Sequence, residues 1–150
     1  MAYVGALGLW DIARPHLEAL VARTGESSSM AQLDGSDIVY VARNGSNRSM
    51  NTGYVLGSRV QAQVSAAGML MLAMRDPEWL DQWLNHFEIK AYTSHTIASK
   101  ERLRMELARI RLQGWAVSEQ QLELNYRGIA VPLIDRRSTV VGALNVTMPM

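Results

Sequence analysis

Two turn signals organise the front half of this chain. DGSD at 34–37 and NGSN at 44–47 separate runs of strand composition: SSSMAQL, DIVYVAR and roughly SMNTGYV. Turns this short join strands that run in opposite directions, so the three runs predict an antiparallel meander. Ahead of them lies a helix candidate, LWDIARPHLEALVARTG. In it Ala13, Leu17, Leu20, Val21 and Thr24 follow helical spacing, and Gly25 is placed to end it. Pro15 predicts that the regular helix begins near Arg14 or kinks there.

The chain then changes character. Ser65 can cap a helix running to about Arg75, and Asp76-Pro77 reads as cap plus first-turn proline for another over PEWLDQWLNHF. A third helix is predicted over SKERLRMELARIRLQG, with Ser99 as cap, Leu103, Leu107 and Ile110 as its apolar stripe, and Gly114 as its stop. Strand signals return in WAVS, RGIAVPLID and VVGALNVT, the last two joined by a turn at RRST. A helix, three strands, more helices and further strands predict an α+β domain, an antiparallel sheet with helices packed on it. There is no regular strand–helix–strand alternation, no internal repeat and no low-complexity linker. At 150 residues the chain is expected to form one domain with a real core.

Composition excludes several functions. The net charge is +1, from 15 basic and 14 acidic residues, and the densest arginine pair, Arg136-Arg137, sits at a hairpin tip. This is not the basic face of a nucleic-acid module. There is no cysteine, so disulfide and thiolate chemistry are absent, and a reducing, cytoplasmic setting is expected. No window reaches the ~18 apolar residues of a membrane span, and no basic segment precedes the first apolar stretch as in a signal peptide.

A search for catalytic patterns finds little. His16, His86 and His95 show no paired ligand spacing, so no metal or other cofactor is expected. There is no G-x-S-x-G elbow, GxGxxG or GxxxxGK[ST]. Ser65 reads as a helix cap before it reads as a nucleophile. The remaining oddity is VQAQVSAAGMLMLA at 60–73, where a helix start almost free of side-chain bulk leads into an apolar run. MLMLAM reads first as core packing and second as an adaptable ligand wall.

Several stretches, taken in order, resemble the C-terminal effector-binding domain of IclR-type (isocitrate-lyase-regulator) transcriptional regulators. They are ARPHLEALVARTGES at 13–27, LDGSDIVYVAR at 33–43, GSRVQAQVSAAGMLMLA at 57–73 and LARIRLQGWAVSEQQLELNYRGIAVPLIDRRSTVVGALNVT at 107–147. LDGSDIVYVAR and RGIAVPLIDRR look most like the branch that regulates aromatic-acid catabolism, responding to acids such as protocatechuate, 4-hydroxybenzoate or β-ketoadipate. The resemblance implies a GAF-like curved antiparallel sheet holding a small carboxylate effector against helices. It also implies a non-enzymatic sensor that self-associates as a dimer or tetramer. DNA would be reached only through an N-terminal winged helix-turn-helix, which these 150 residues are not expected to include.

The resemblance also implies a site. The first turn of the helix after Ser65 would present free N–H groups to an anion, at Ala66 and Ala67, with no side chain in the way. Facing wall positions map onto Ser118, Gly128, Asn145 and Thr147, and Val60 and Tyr40 would touch a ring. Met69 and Arg127 are further candidates. In a regular strand Arg127 cannot share a face with Gly128, so it either curls inward or ties to an acid such as Glu123. Arg43, Arg48 and Arg59 are weaker partners for the acid. Asn145 and Thr147 point either into the cavity or to solvent. Gln61-Ala62-Gln63 stands where the family often has proline-alanine-histidine, and Gly68-Met69 where it often has glycine followed by lysine or arginine. The other readings are a small hydrolase or isomerase, using Ser65 or Ser118 with a histidine, and a purely structural dimerisation module.

Overall fold

The computed structural model describes residues 2–44 and 57–150, with side chains from 11–43 and 57–150. The first helix, α1, spans Ala2–Thr24. Strands β1 (Ser27–Asp34), β2 (Asp37–Asn44) and the short β3 (Arg59–Gln61) follow. A 3-10 turn at Ala62–Val64 then leads into α2 (Ala66–Ala73), α3 (Pro77–His86) and α4 (Lys100–Gln113). Strands β4 (Ala116–Glu119), β5 (Tyr126–Ile134) and β6 (Val140–Pro149) complete the chain. All pairings are antiparallel, in the order β3-β2-β1-β6-β5-β4. The α+β expectation is met, with one six-stranded sheet.

Local sequence sets most boundaries. The hairpin between β1 and β2 closes over Gly35-Ser36, with Gly35 at the positive φ that primed hairpin turns require. Ser65, Asp76 and Ser99 accept the N–H of Gly68, Trp79 and Arg102, so each predicted cap is in place. Gly114 ends α4 in the left-handed conformation. Arg111 reaches back to the carbonyls of Ala73 and Arg75, where α2 has run out of intrahelical donors.

Two expectations need correction or fall elsewhere, and one strand was missed. Helix α1 starts well before Arg14 and runs through Pro15. The missing N–H of Pro15 removes one intrahelical bond, but Ala13 and Leu17, on either side of it, are anchored on Met30 and Ala42 of the sheet. The strand expected over SMNTGYV falls at 49–55, outside the described residues. The edge strand Arg59–Gln61 was not legible, because three residues carry no period.

The sheet has two differently used faces. On one, α1 packs against β1 and β2 through Ala13, Leu17, Met30 and Ala42, and Ser28 Oγ donates to Leu17 O at 2.9 Å. On the other, α2 lies between the sheet and α4 and is buried along its whole length. A helix apolar all round belongs inside, which confirms the core reading of MLMLAM. A β-bulge lets one strand serve both faces. Met30 pairs with Ala42 but Ala31 pairs with Tyr40, leaving Val41 as the extra residue. Tyr40 therefore joins the α2 core and Ala42 the α1 core. No helix among the described residues is long and apolar enough to cross a membrane.

The side-chain-poor stretch now has a structural cause. A Cβ on Gly68 would lie 2.2 Å from the carbonyl oxygen of Ala62 and 2.4 Å from its Cα. The 3-10 turn thus folds back onto the first turn of α2, backbone against backbone. Gln63 is fully buried and donates to Gln61 Oε1 at 2.9 Å, so the two glutamines bracket the contact. Gly68→Ala forces backbone apart in a closed core. It is expected to cost at least about 3 kcal/mol, lowering the thermal midpoint by roughly 6–12 °C, as read by circular dichroism melts.

Candidate ligand-binding site

The concave face of the sheet is floored by small and polar side chains. Register aligns Ser118, Gly128, Thr147 and Ser27 in one row across β4, β5, β6 and β1. The next row is Ala116, Ala130, Asn145 and Ser29. Because α2 begins above these rows, the short side chains leave a cleft between helix and sheet. Out to its open mouth the cleft spans about 520 Å³, solvent-filled space included. Its sides are Tyr40, Val60 and Val64 at one end and the 120–127 segment at the other.

The helix start gives the cleft its polarity. Ser65 Oγ takes the N–H of Gly68 at 2.9 Å, and Ser65 O takes that of Met69 at 2.9 Å. The N–H groups of Ala66 and Ala67, first in the helix, have no intrahelical acceptor. These donors, with the helix dipole behind them, favour an anion in the space ahead. Opposite, Asn145 donates to Thr147 Oγ1 at 2.9 Å, and its Oδ1 lies 3.3 Å from where a Gly128 Cβ would be. The Ala66 methyl is 3.4 Å from that same point, so Gly128 stands between helix start and strand amide and keeps the space open.

Of the residues singled out from sequence, Tyr40, Val60, Ala66, Ser118, Arg127, Gly128, Asn145 and Thr147 all line this one cleft. Asn145 is buried rather than solvated. Ala67 and Met69 are fully buried in the core and do not line the cleft, so Ala67 offers only its backbone. Ser118 gives its proton to Val64 O at 3.2 Å. Arg127 sits at the rim, 3.7 Å from Glu119. The acid beside it is therefore its cross-strand neighbour rather than Glu123, because the β4–β5 register sets Glu119 opposite Arg127. Arg59 is held by Asp34 at 2.8 Å and Asp37 at 3.2 Å, and hydrogen bonds to Asp34 and then Asp37 raise its pKa. Arg43 is paired opposite Ser29, and Arg48 lies outside the described residues.

The segment Gln120–Tyr126 was missed in the sequence. It crosses the cleft with Gln120 and Asn125 at positive φ, and Thr93 and Thr96 hydroxyls hold the carbonyls of Gln120 and Gln121. In QQLELN the local signal is Asn125 alone, a residue that tolerates positive φ; the rest favour a helix. No histidine is among the residues lining the cleft; His86 Nδ1 contacts its own helix at Gln82 O. No group of three potential metal ligands occurs among the described residues.

A curved antiparallel sheet closed over a cleft by a buried helix, with free first-turn donors facing small polar strand residues, defines a small-molecule-binding domain. The chain matches the family described as "Bacterial transcriptional regulator IclR C-terminal" across residues 1–150, and it belongs to that family. It is 35% identical to the Pca regulon regulatory protein of Pseudomonas putida over 147 residues, 97% of this chain and 50% of that protein. An IclR homolog from Microbacterium hydrocarbonoxydans, solved with 4-hydroxybenzoate, superposes with a TM-score of 0.89 at 26% identity. That match covers 96% of this chain and 59% of the other. The inducer-binding domain of PobR from Acinetobacter, a double mutant solved with 3-hydroxybenzoic acid, gives 0.84 at 26% identity over 93% and 82%. The chain spans about half the length of the curated relatives it matches.

The N-cap that organises the cleft is testable by itself. Ser65→Ala removes the acceptor of Gly68 N–H and is expected to cost about 1 kcal/mol, a drop of roughly 2–4 °C in thermal midpoint. Scanning calorimetry reads this directly; no change would mean that the hydroxyl does not stabilise the helix start.

Proposed function

We propose that this chain is the ligand-sensing domain of a transcriptional regulator, and that a small carboxylate, aromatic or an aromatic catabolite, binds in the cleft beneath α2. The observation that carries this reading is the pair of free N–H groups at Ala66 and Ala67 facing Gly128, Asn145 and Thr147 across a gap kept free of side chains. The acid would sit at the helix start and the ring would lie toward Tyr40 and Val60. Relatives named for the Pca regulon, and structural neighbours solved with 3- and 4-hydroxybenzoate, support the aromatic class.

Occupancy would act on DNA through a winged helix-turn-helix domain outside these 150 residues. A ligand shifts such an arrangement only by binding one geometry more tightly than another, and a dimer or tetramer of the domain would supply the two geometries. A cytoplasmic setting and a non-enzymatic role fit this reading. The matched relatives are named as regulators, and neither Ser65 nor Ser118 has a histidine beside it in the cleft lining.

The test is a thermal-shift screen of 3- and 4-hydroxybenzoate, protocatechuate, β-ketoadipate, pyruvate and glyoxylate. A true effector at about 100 times its Kd adds about 2.7 kcal/mol. In a chain of this size that is roughly 5–10 °C. Ala66→Asp sets a negative charge where the acid would sit; it is expected to abolish the shift. A variant that stays folded and binds with unchanged affinity would rule out the helix-start site.

A further inference from the structure

Helix α1 rests on the face of the sheet opposite the cleft, and the two strands beneath it also help to floor the cleft. In β1 the two sides alternate. Ser27 and Ser29 lie in the cleft rows, opposite Thr147 and Asn145, while Ser28 between them turns to α1. Met30 packs on α1, and Ala31 joins the α2 core. In β2 the bulge makes the change within one step. Tyr40 lines the cleft, whereas Val41 and Ala42 pack with α1. The described contacts of α1 with these strands are thus interleaved with residues on the cleft side.

The helix depends on that support. Pro15 leaves it one hydrogen bond short. Among the described residues its anchors are Ala13 and Leu17, packed with Met30 and Ala42, and the Ser28 hydroxyl. Ser28 is fully buried and gives its proton to Leu17 O at 2.9 Å. A helical carbonyl has a second lone pair for the N–H four residues on, so the strand bond adds to the helix without competing with it. The cluster that holds α1 is separate from the larger one around α2. A small, separate cluster is the kind of unit that opens locally while the main core stays closed.

We infer that α1 is the element through which the cleft reports its occupancy: an acid held against Asn145 and Thr147 tightens the docking of α1, and the bond from Ser28 to Leu17 carries the coupling. This rests on the reading of the cleft as a carboxylate site. Docked and undocked α1 are the two arrangements between which a ligand can discriminate. With an acid in place, Asn145 and Thr147 are committed to it, and the rows they share with Ser29 and Ser27 lose freedom. Ser28, set between those two serines, then holds Leu17 O at a smaller cost in entropy. The winged helix-turn-helix of the proposed regulator would join ahead of α1, so the docking of this helix stands between cleft and DNA.

Amide hydrogen exchange over residues 17–24, resolved by NMR with and without saturating 4-hydroxybenzoate or whichever screened acid binds most tightly, tests this. In the wild type these amides are expected to exchange faster than those of α2, and to slow at least about fivefold with acid, the lower end of typical couplings. In Ser28→Ala the slowing is expected to shrink below about twofold, although that side chain faces away from the cleft. Leu17→Glu sets a charge in the α1 cluster and keeps the helix off the sheet. Coupling is reciprocal, so its affinity for the acid, read by isothermal titration, is expected to fall by the factor by which wild-type exchange slows. If Leu17→Glu does not fold, the exchange of wild type and Ser28→Ala decides. Unchanged α1 exchange with acid bound overturns the inference, and so does α1 exchange no faster than that of α2. Full slowing in Ser28→Ala, or wild-type affinity in a folded Leu17→Glu, overturns it as well; the carboxylate reading survives each of these results. No binding of any screened acid by the wild type removes that reading and this inference together.

Discussion

Gly68 lies so close to Ala62 that no side chain fits between them, and the rest of the molecule is arranged around that contact. It joins the 3-10 turn to the first turn of α2 and so fixes where the helix begins. The helix start fixes which N–H groups are free, and α2, once wholly buried, has to be covered by the sheet on one side and α4 on the other. The cleft is what remains where small strand residues fail to fill the space beneath the helix. Stability and binding capacity therefore depend on the same scarcity of side-chain atoms, at Gly68 for packing and at Gly128 for space.

Polar groups inside this arrangement are almost all engaged. Trp83 Nε1 donates to Ser36 Oγ at 2.9 Å, tying α3 to the first hairpin, and Thr93 and Thr96 hold the loop that crosses the cleft. Buried donors and acceptors left without partners are costly. Among the described residues the uncommitted donors at the cleft are the N–H groups of the helix start and, on the facing wall, the buried Nε of Arg127. On the proposed reading, a domain built in this way would distinguish an anionic guest by a few fixed groups rather than by a mobile, charged surface.

Much of this was readable in the residues because local chemistry set it. Ser65, Asp76 and Ser99 are caps by their side-chain oxygens, Gly35 and Gly114 occupy backbone conformations that other residues avoid, and Leu103, Leu107 and Ile110 mark the buried stripe of α4. The features that escaped reading depend on neighbours distant in sequence. Helix α1 survives Pro15 because the sheet holds it, Arg127 lies beside Glu119 because of strand register, and Gln121 enters the cleft wall because two threonines 25 and 27 residues before their acceptors hold its loop. The small residues at 65–68 were visible, but their two separate causes were not. Ala66 borders the cleft, whereas Gly68 is small for a backbone on its other side.

The extra residue at Val41 carries a consequence for reading this strand in related chains. With strict alternation, Tyr40 and Ala42 would look out from the same side. Here they face away from each other, so β2 is two half-strands of opposite phase, one serving the cleft and the other the first helix. Deleting a single residue from 40–42 would bring the halves back into step, and either the tyrosine or the alanine would change compartments. Spacing in this strand is thus as much a part of the cleft as any side chain in it. A comparison that slides β2 by one position would assign cleft residues to the wrong side of the sheet.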